Sequence, residues 1–255
     1  MKFVIDRNVL AKCLGQTQRI VERRNTYPIL ANVHISAGNN LTLRATDLDL
    51  EVTSETPGTV SEPGVITVPA HTLYDIVRKM PDGSEVTIET VDQGQVLVKA
   101  GRSRFHLSSL SADSFPDLKS GSFPHTFRIA APLLREMIER TQFAISTAET
   151  RFYLNGIYLH TVEAGNETLL RAVATDGHRM ARAETEAPAG SKGMPGIIVP
   201  KKTVSEVQKL LEGADGDVKV EVSDTKIRFT LNGVVLLSKL IEGTFPDYDR
   251  VTPKN

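Results

Sequence analysis

The chain has 255 residues, is 40% apolar and 24% charged, has a formal net charge of −1, and contains one cysteine and no tryptophan. That composition supports a sizeable core in each of two ordinary domains. It excludes a disulfide within the chain, which fits a reducing compartment, and argues against a generic nucleic-acid binder. No stretch approaches the ~18 apolar residues of a membrane span, and the opening MKFVIDRNVL interrupts its apolar residues with charges, unlike a signal peptide. A soluble cytoplasmic protein is expected.

Phe3–Ile5 alternates as a short strand, and Asp6 is placed to cap a helix over Arg7–Val21, where Val9, Leu10, Cys13, Leu14, Thr17, Ile20 and Val21 recur at helical spacing. Pro28 opens an extended run, Ile29–Ser36. Gly38-Asn39-Asn40 reads as a turn, and Leu41–Val52 as one alternating strand. Gly58 and Pro63-Gly64 punctuate the next pair of strands. Pro69 opens a second amphipathic helix on Leu73, Ile76, Val77 and Met80, stopped by Pro81-Asp82-Gly83. Strands over Glu85–Thr90, Val96–Ala100 and Arg104–Leu110 complete a β-α-β-β-β-α-β-β-β order.

The order then recurs. Phe127–Ile129 is a strand, Pro132 starts a helix on Leu133, Leu134, Met137 and Ile138, and strands follow at Phe152–His160, Thr168–Thr175 and from His178. Pro200 opens a helix on Val204, Val207, Leu210 and Leu211, ended by Gly213 and Gly216, before strands at Val218–Val222, Lys226–Leu231 and Val234–Leu240. The repeat is explicit in residues. LSSLSADSFPDL from Leu107 returns as LSKLIEGTFPDY from Leu237, Ala45-Thr46-Asp47 as Ala174-Thr175-Asp176, and Thr17-Gln18 as Thr141-Gln142. The register drift fits a longer loop in the second copy near Val162–Thr168. In that register Asn155-Gly156 matches Ala31-Asn32, which places it inside a strand at a bulge and leaves Asp176-Gly177 as the better hairpin turn. The expectation is an α+β chain of tandem domains, 1–122 and 123–255, each with two helices on antiparallel sheets.

Catalytic signatures are missing. There is no phosphate loop, GxGxxG, HExxH, paired CxxC or GxSxG, so neither a cofactor nor a metal is expected. Cys13 falls on the apolar helix face and reads as buried filler. Asp47, Asp49, Asp176 and His178 could form an acid–base cluster, but Asp47 and Asp176 occupy equivalent repeat positions, which favours two structural turns. Charge is more informative. The four helical segments (Arg7–Arg24, Pro69–Met80, Ala131–Gln142 and Pro200–Leu211) together carry +7, leaving −8 on the rest. Basic helices with an acidic remainder can meet phosphates on one face and repel them elsewhere. Solvated helix faces would give the same count.

Repeated β-rich domains with two amphipathic helices each resemble a DNA sliding clamp. MKFVIDRNVL, Pro28-Ile29-Leu30, ATDLDLEV, VPA, GRSRF, FPDL, RFYLNG, ATDGHRMA, IVP and FPDYDRVTPKN resemble the bacterial clamp, the β subunit of the replicative DNA polymerase III, from Met1 to Asn255. The resemblance implies a DNA clamp fold whose helices line a ring's pore, and a processivity factor that encircles duplex DNA without reading sequence. Implied partners are duplex DNA, the replicative polymerase, the clamp loader and other clamp-binding peptides, with no membrane. The family has three domains per chain and closes as a head-to-tail homodimer. The chain resembles the first two domains, with the third absent, and is therefore expected to be monomeric and not to hold DNA topologically. By the same resemblance Leu154, Thr175, Gly177, His178, Arg179, Met180, Pro246, Arg250 and Val251 match one wall of the family's peptide pocket. Met180 stands where leucine is frequent, and Asp249 where a basic residue can occur. For DNA, Arg24 matches a family contact, His71 replaces a basic residue, Phe152 replaces a tyrosine beside Tyr153, and Ala148 occupies a loop position that is polar in the family. Two other readings remain: a self-sufficient two-domain trimeric ring, and a hydrolase using Asp176 and His178.

Overall fold

A computed structural model of the chain describes residues 1–23, 26–92, 94–119 and 121–252. They form two compact units, Met1–Lys119 with Asn232–Leu237, and Ser120–Leu231 with Ser238–Asn255. Among the described residues no helix is long and apolar enough to cross a membrane.

The first unit contains β1 (Lys2–Asp6), α1 (Arg7–Thr17), β2 (Asn32–Ala37), β3 (Leu41–Thr46), β4 (Leu50–Thr56), β5 (Thr59–Glu62), β6 (Gly64–Pro69), α2 (Ala70–Lys79), β7 (Glu85–Asp92), β8 (Gln95–Ala100) and β9 (Ser103–Ser108). Every pairing is antiparallel, in the orders β5-β1-β7-β8-β9 and β4-β3-β2-β6. Alternation along β1 and β7 buries Phe3, Ile5, Val86 and Ile88, and α1 and α2 pack on each other and on the sheets. The Asp6 carboxylate accepts the N–H groups of Asn8 at 2.8 Å and Val9 at 3.1 Å, a cap worth about 1 kcal/mol. Leu10, Cys13, Leu14 and Thr17 form the buried face of α1. Cys13, 5% exposed, should therefore resist a disulfide-exchange reagent in the native chain and titrate as one thiol once denatured. Native-state labelling at a free-thiol rate would contradict this packing.

The second unit contains β10 (His125–Ala130), α3 (Ala131–Glu139), β11 (Gly156–Ala164), β12 (Glu167–Thr175), β13 (Met180–Glu186), β14 (Ile197–Pro200), α4 (Lys201–Leu211), β15 (Asp217–Val222) and β16 (Lys226–Leu231); β17 (Val234–Lys239) ends the strand order. Its sheets run β13-β12-β11-β14 and β10-β15-β16, again antiparallel. The α+β expectation with two helices per repeat holds.

Several details differ from the sequence reading, each for a local reason. Helix α1 stops at Thr17 rather than Val21. The Thr17 hydroxyl donates to the Cys13 carbonyl at 3.1 Å, competing with the ladder, and Thr141 does the same to Met137 at 2.7 Å after α3. Ile20 and Val21 are buried beyond the helix, so their spacing looked helical. Pro28–Ala31 is a 3-10 turn rather than extended chain, with proline in the first helical position, where its missing N–H costs nothing. Glu149–Leu154 is likewise a 3-10 segment, so Gly156 opens β11 and no bulge exists there. Asn32 opens β2 at the matching junction, so the two positions are equivalent, and each begins a strand rather than lying inside one. Among the described residues five strands, not three, separate the helices of the first unit, and four those of the second. The extra residues of the second copy lengthen strands instead of a loop: β11 and β12 have nine residues each, β2 and β3 six each.

Leu41–Val52 is also two strands. The Asp47 carboxylate accepts the N–H of Asp49 at 3.0 Å and of Leu50 at 2.7 Å, turning the chain and holding Leu48 at φ 79°. A left-handed conformation costs an L-residue roughly 1–2 kcal/mol. Leu48→Gly should therefore stabilise the first unit by about 1 kcal/mol in denaturant titrations, and a loss of stability would show that the Leu48 side chain contributes more than its backbone costs.

Candidate functional site

The turn after β12 is the counterpart of the Asp47 turn. Asp176 accepts the N–H of His178 at 2.9 Å and of Arg179 at 3.0 Å, and its second oxygen pairs with Arg179 Nε at 3.0 Å. Those backbone donors lead the causes that lower its pKa to about 2. A carboxylate so acidic, with both oxygens engaged, is a poor general base near neutrality; Asp176 shapes a turn, as its repeat position suggested. Gly177 is favoured by its backbone, and a side chain there would also displace Arg151. It sits at φ 88°, and a Cβ there would collide with the Arg151 guanidinium, whose Nη2 donates to the Asp176 carbonyl at 3.0 Å. Arg151 thereby ties this turn to the 3-10 segment that ends at Leu154.

Beside the turn lies an apolar cluster: Leu154, Val173, Ile198, Phe245 and Tyr248 are buried, and Tyr153, Tyr158, Met180 and Ile241 pack against them half-buried. Tyr158 stacks on Phe245 with ring centroids 4.8 Å apart and planes 5° from parallel. The Phe-Pro-Asp-Tyr segment forms one side of the cluster, where Asp247 pairs with Arg250 at 2.9 Å. Thr175 closes the hairpin by donating to the Arg179 carbonyl at 2.8 Å.

Of the pocket residues expected from sequence, Leu154 lies in this cluster and Met180 at its edge. Gly177, His178 and Arg179 are exposed on the turn after Thr175, and Pro246, Arg250 and Val251 are exposed on the segment carrying Phe245 and Tyr248. Val251 is 72% exposed. The DNA residues are more scattered. Arg24 lies outside the described residues. His71 is half-buried, and its ring N–H donates to the Val21 carbonyl at 2.8 Å. Phe152 is exposed and meets Tyr153 edge-to-face at 5.8 Å, while Tyr153 packs on the apolar cluster. Sequence reasoning did not assign Val173, Ile198, Phe245 or Tyr248 to the site. Two of them sit in the FPDY motif, of which only Pro246 is assigned to the pocket by resemblance.

The first unit fills the matching position with charge. In the repeat register Arg44 stands for Val173 and Glu51 for Met180. Arg44 lies 3.9 Å from Glu51 and 3.4 Å from Asp117, with its guanidinium 5.2 Å from the centre of the Phe115 ring. Burial raises the Glu51 pKa, opposed by Arg44. Burial, then Arg44, lowers the pKa of His34; burial, then Arg171, lowers that of His160. For both imidazoles the unfolded chain takes up protons first as pH falls. Their contribution to stability is therefore full above the ordinary value of about 6.5 and declines below it. The stability difference between the native chain and His160→Gln should accordingly narrow between neutral pH and pH ~5, as read by urea midpoints; a gap that is constant with pH would contradict the assignment.

The family description "DNA polymerase III beta subunit, N-terminal domain" matches residues 1–119, and "DNA polymerase III beta subunit, central domain" matches residues 128–247. The beta sliding clamp of Caulobacter vibrioides is 50% identical over 257 residues, covering 100% of this chain and 69% of the relative. That of Escherichia coli is 39% identical over 259 residues, covering 100% and 69%. Among solved structures, Caulobacter crescentus pol III beta superposes with a TM-score of 0.97 at 50% identity, over 100% of this chain and 70% of that one. The sliding clamp from Bartonella birtlesii bound to griselimycin gives 0.96 at 52% identity, over 99% and 68%.

Proposed function

The chain belongs to the bacterial DNA polymerase III beta subunit family, the sliding clamps of DNA replication, and from that membership we propose how its surfaces are used. The second unit captures short peptide segments of the replicative polymerase, the clamp loader and other partners. The observation that carries this is the apolar cluster of Leu154, Val173, Ile198, Phe245 and Tyr248 with Met180 at its edge. The Gly177–Arg179 turn, exposed, follows the strand that carries Val173, and Pro246, Arg250 and Val251 are exposed on the segment that carries Phe245 and Tyr248. An apolar floor with a polar, adjustable rim suits a peptide that inserts aliphatic or aromatic side chains. Fluorescence anisotropy with a labelled peptide carrying the polymerase's clamp-binding segment tests it, with griselimycin as a competitor. Saturable binding lost on Leu154→Ser is expected; binding that survives Leu154→Ser would place the peptide elsewhere.

The basic helical segments are the DNA-facing elements of this reading. Lys12, Arg19, Arg78, Lys79, Lys201, Lys202 and Lys209 are exposed and suit sequence-independent phosphate contacts, with Arg24, His71, Phe152 and Tyr153 as the family-matched positions. Association with a labelled duplex should fall steeply with salt and be indifferent to base sequence; a salt-independent affinity would overturn the assignment. Residues 1–122 and 123–255 are read as the N-terminal and central clamp domains. The cytoplasm is the proposed compartment, and no catalytic step is assigned. Expressed alone, these 255 residues are proposed to be monomeric. A light-scattering mass near three times 27.9 kDa would instead favour a self-closed trimeric ring.

A further inference from the structure

The Phe245–Val251 side of the pocket is fastened by side chains of β11, β12 and β13. The Tyr248 ring is buried, and its hydroxyl lies 2.9 Å from Arg171 Nη1 and 2.9 Å from His160 Nε2. A guanidinium only donates, so the phenol oxygen accepts from Arg171; with the neutral His160 in the tautomer whose Nε2 carries the lone pair, the phenol proton is donated there. Arg171 is itself held by Glu184 on the neighbouring strand, Nε to carboxylate 2.8 Å, and lies 3.8 Å from Asp249. His160 stacks on Tyr158 at 4.4 Å, and Tyr158 stacks on Phe245. Both anchors of the segment, Phe245 by stacking and Tyr248 by hydrogen bonds, therefore hang from β11 and β12.

We propose that Arg171 and His160 are positioning residues for peptide capture: by fixing the Tyr248 hydroxyl they hold Pro246, Arg250 and Val251 at the distance from Leu154 and Met180 that a bound peptide needs. This rests on the pocket reading above. In this reading Arg171 and His160 act through the Tyr248 hydroxyl and do not touch the ligand. The groups facing His160 are Arg171 from β12, Tyr158 on its own strand, and Tyr248 and Asp249 from the closing turn, with Glu184 behind Arg171. β14, the other neighbour of β11, presents only Ile197–Pro200. Protonating His160 would remove the acceptor of the phenol proton and set a second cation against Arg171.

The test measures the affinity and off-rate of the fluorescein-labelled polymerase peptide on the full 255-residue chain with Tyr248→Phe, Arg171→Met, Arg171→Lys and His160→Gln. Tyr248→Phe keeps the ring, so its fold should survive, as near-ultraviolet circular dichroism would verify. Tyr248→Phe and Arg171→Met should each weaken binding about tenfold, mainly through faster release. The double variant should be no worse than the weaker single, because both break one fastening, and Arg171→Lys should recover part of the loss. Affinity of the native chain should fall as pH drops below the ordinary imidazole range, and His160→Gln, which keeps an acceptor, should flatten that profile. Variants that fold and bind like the native chain, or single effects that add in the double variant, would overturn the proposal. A native chain that does not bind the peptide removes the pocket reading and this proposal with it, whereas native binding with unaffected variants removes this proposal alone.

Discussion

A chain carrying Met180→Glu should bind the polymerase peptide about 30-fold more weakly, ~2 kcal/mol, than the native chain. Met180 packs half-buried against Leu154, Val173, Ile198, Phe245 and Tyr248. The first unit shows what a carboxylate needs at this place. Glu51, its repeat counterpart, has Arg44 at 3.9 Å and the Leu118 N–H at 3.5 Å. In the second unit Val173 occupies the place of Arg44, so the new carboxylate would have no cation in that role. It would either stay hydrated and hold water over the apolar floor or be desolvated at a cost of several kcal/mol. Met180→Leu, which conserves volume, should cost under about 1.5 kcal/mol. Comparing the two separates charge from shape. Equal affinity for Met180→Glu and the native chain would mean that the peptide sits elsewhere, while a matching collapse of the Met180→Leu variant would point to shape alone.

Gly156→Ala should destabilise the second unit by about 3 kcal/mol, lowering its thermal midpoint by ~10 °C. Gly156 is buried where β11 starts, paired with Pro200. A Cβ there would lie inside contact distance of the Val199 carbonyl oxygen, which is backbone and cannot rotate away. Relief requires β11 and β14 to separate, and Ile198 of β14 is part of the apolar cluster. Peptide affinity should fall together with stability. The first unit tolerates Asn32 at the matching position, 4% exposed, with its amide donating to Thr67 at 3.1 Å. An Asn32→Ala control should therefore cost only the lost hydrogen bond, about 1 kcal/mol. A Gly156→Ala midpoint within two degrees of native would show that the strands separate freely.

The sequence announced the repeat, the four helices, most strands and the equivalence of Asp47 with Asp176, because these depend on apolar period and local turn chemistry. It misplaced structure where side chains intercept the backbone. The Thr17 hydroxyl that ends α1, the Asp47 carboxylate that splits β3 from β4, and the 3-10 segments before β2 and β11 leave the apolar pattern intact while changing its geometry. Resemblance pointed to Leu154, Thr175, Gly177–Met180, Pro246, Arg250 and Val251 for the candidate site, and the fold places Leu154 in one apolar cluster with Met180 at its edge. Val173 and Ile198 were not legible, since an apolar residue on a strand looks the same whether it faces a core or a pocket. Arg171, His160 and Glu184 gave no signal, because they are far apart in sequence and meet only through the register of β11, β12 and β13.

The paired turns at Asp47 and Asp176 separate what each copy may change from what it may not. Both aspartates bind two backbone N–H groups, so a scan of all substitutions should find positions 47 and 176 equally intolerant. Four residues on, the copies part company. Position 51 holds a carboxylate against Arg44, while position 180 is apolar, and Met180→Leu is the substitution expected to be tolerated there. The same strand-turn-strand frame thus carries an ion pair in one copy, Arg44 with Glu51, and an apolar edge in the other, Val173 with Met180.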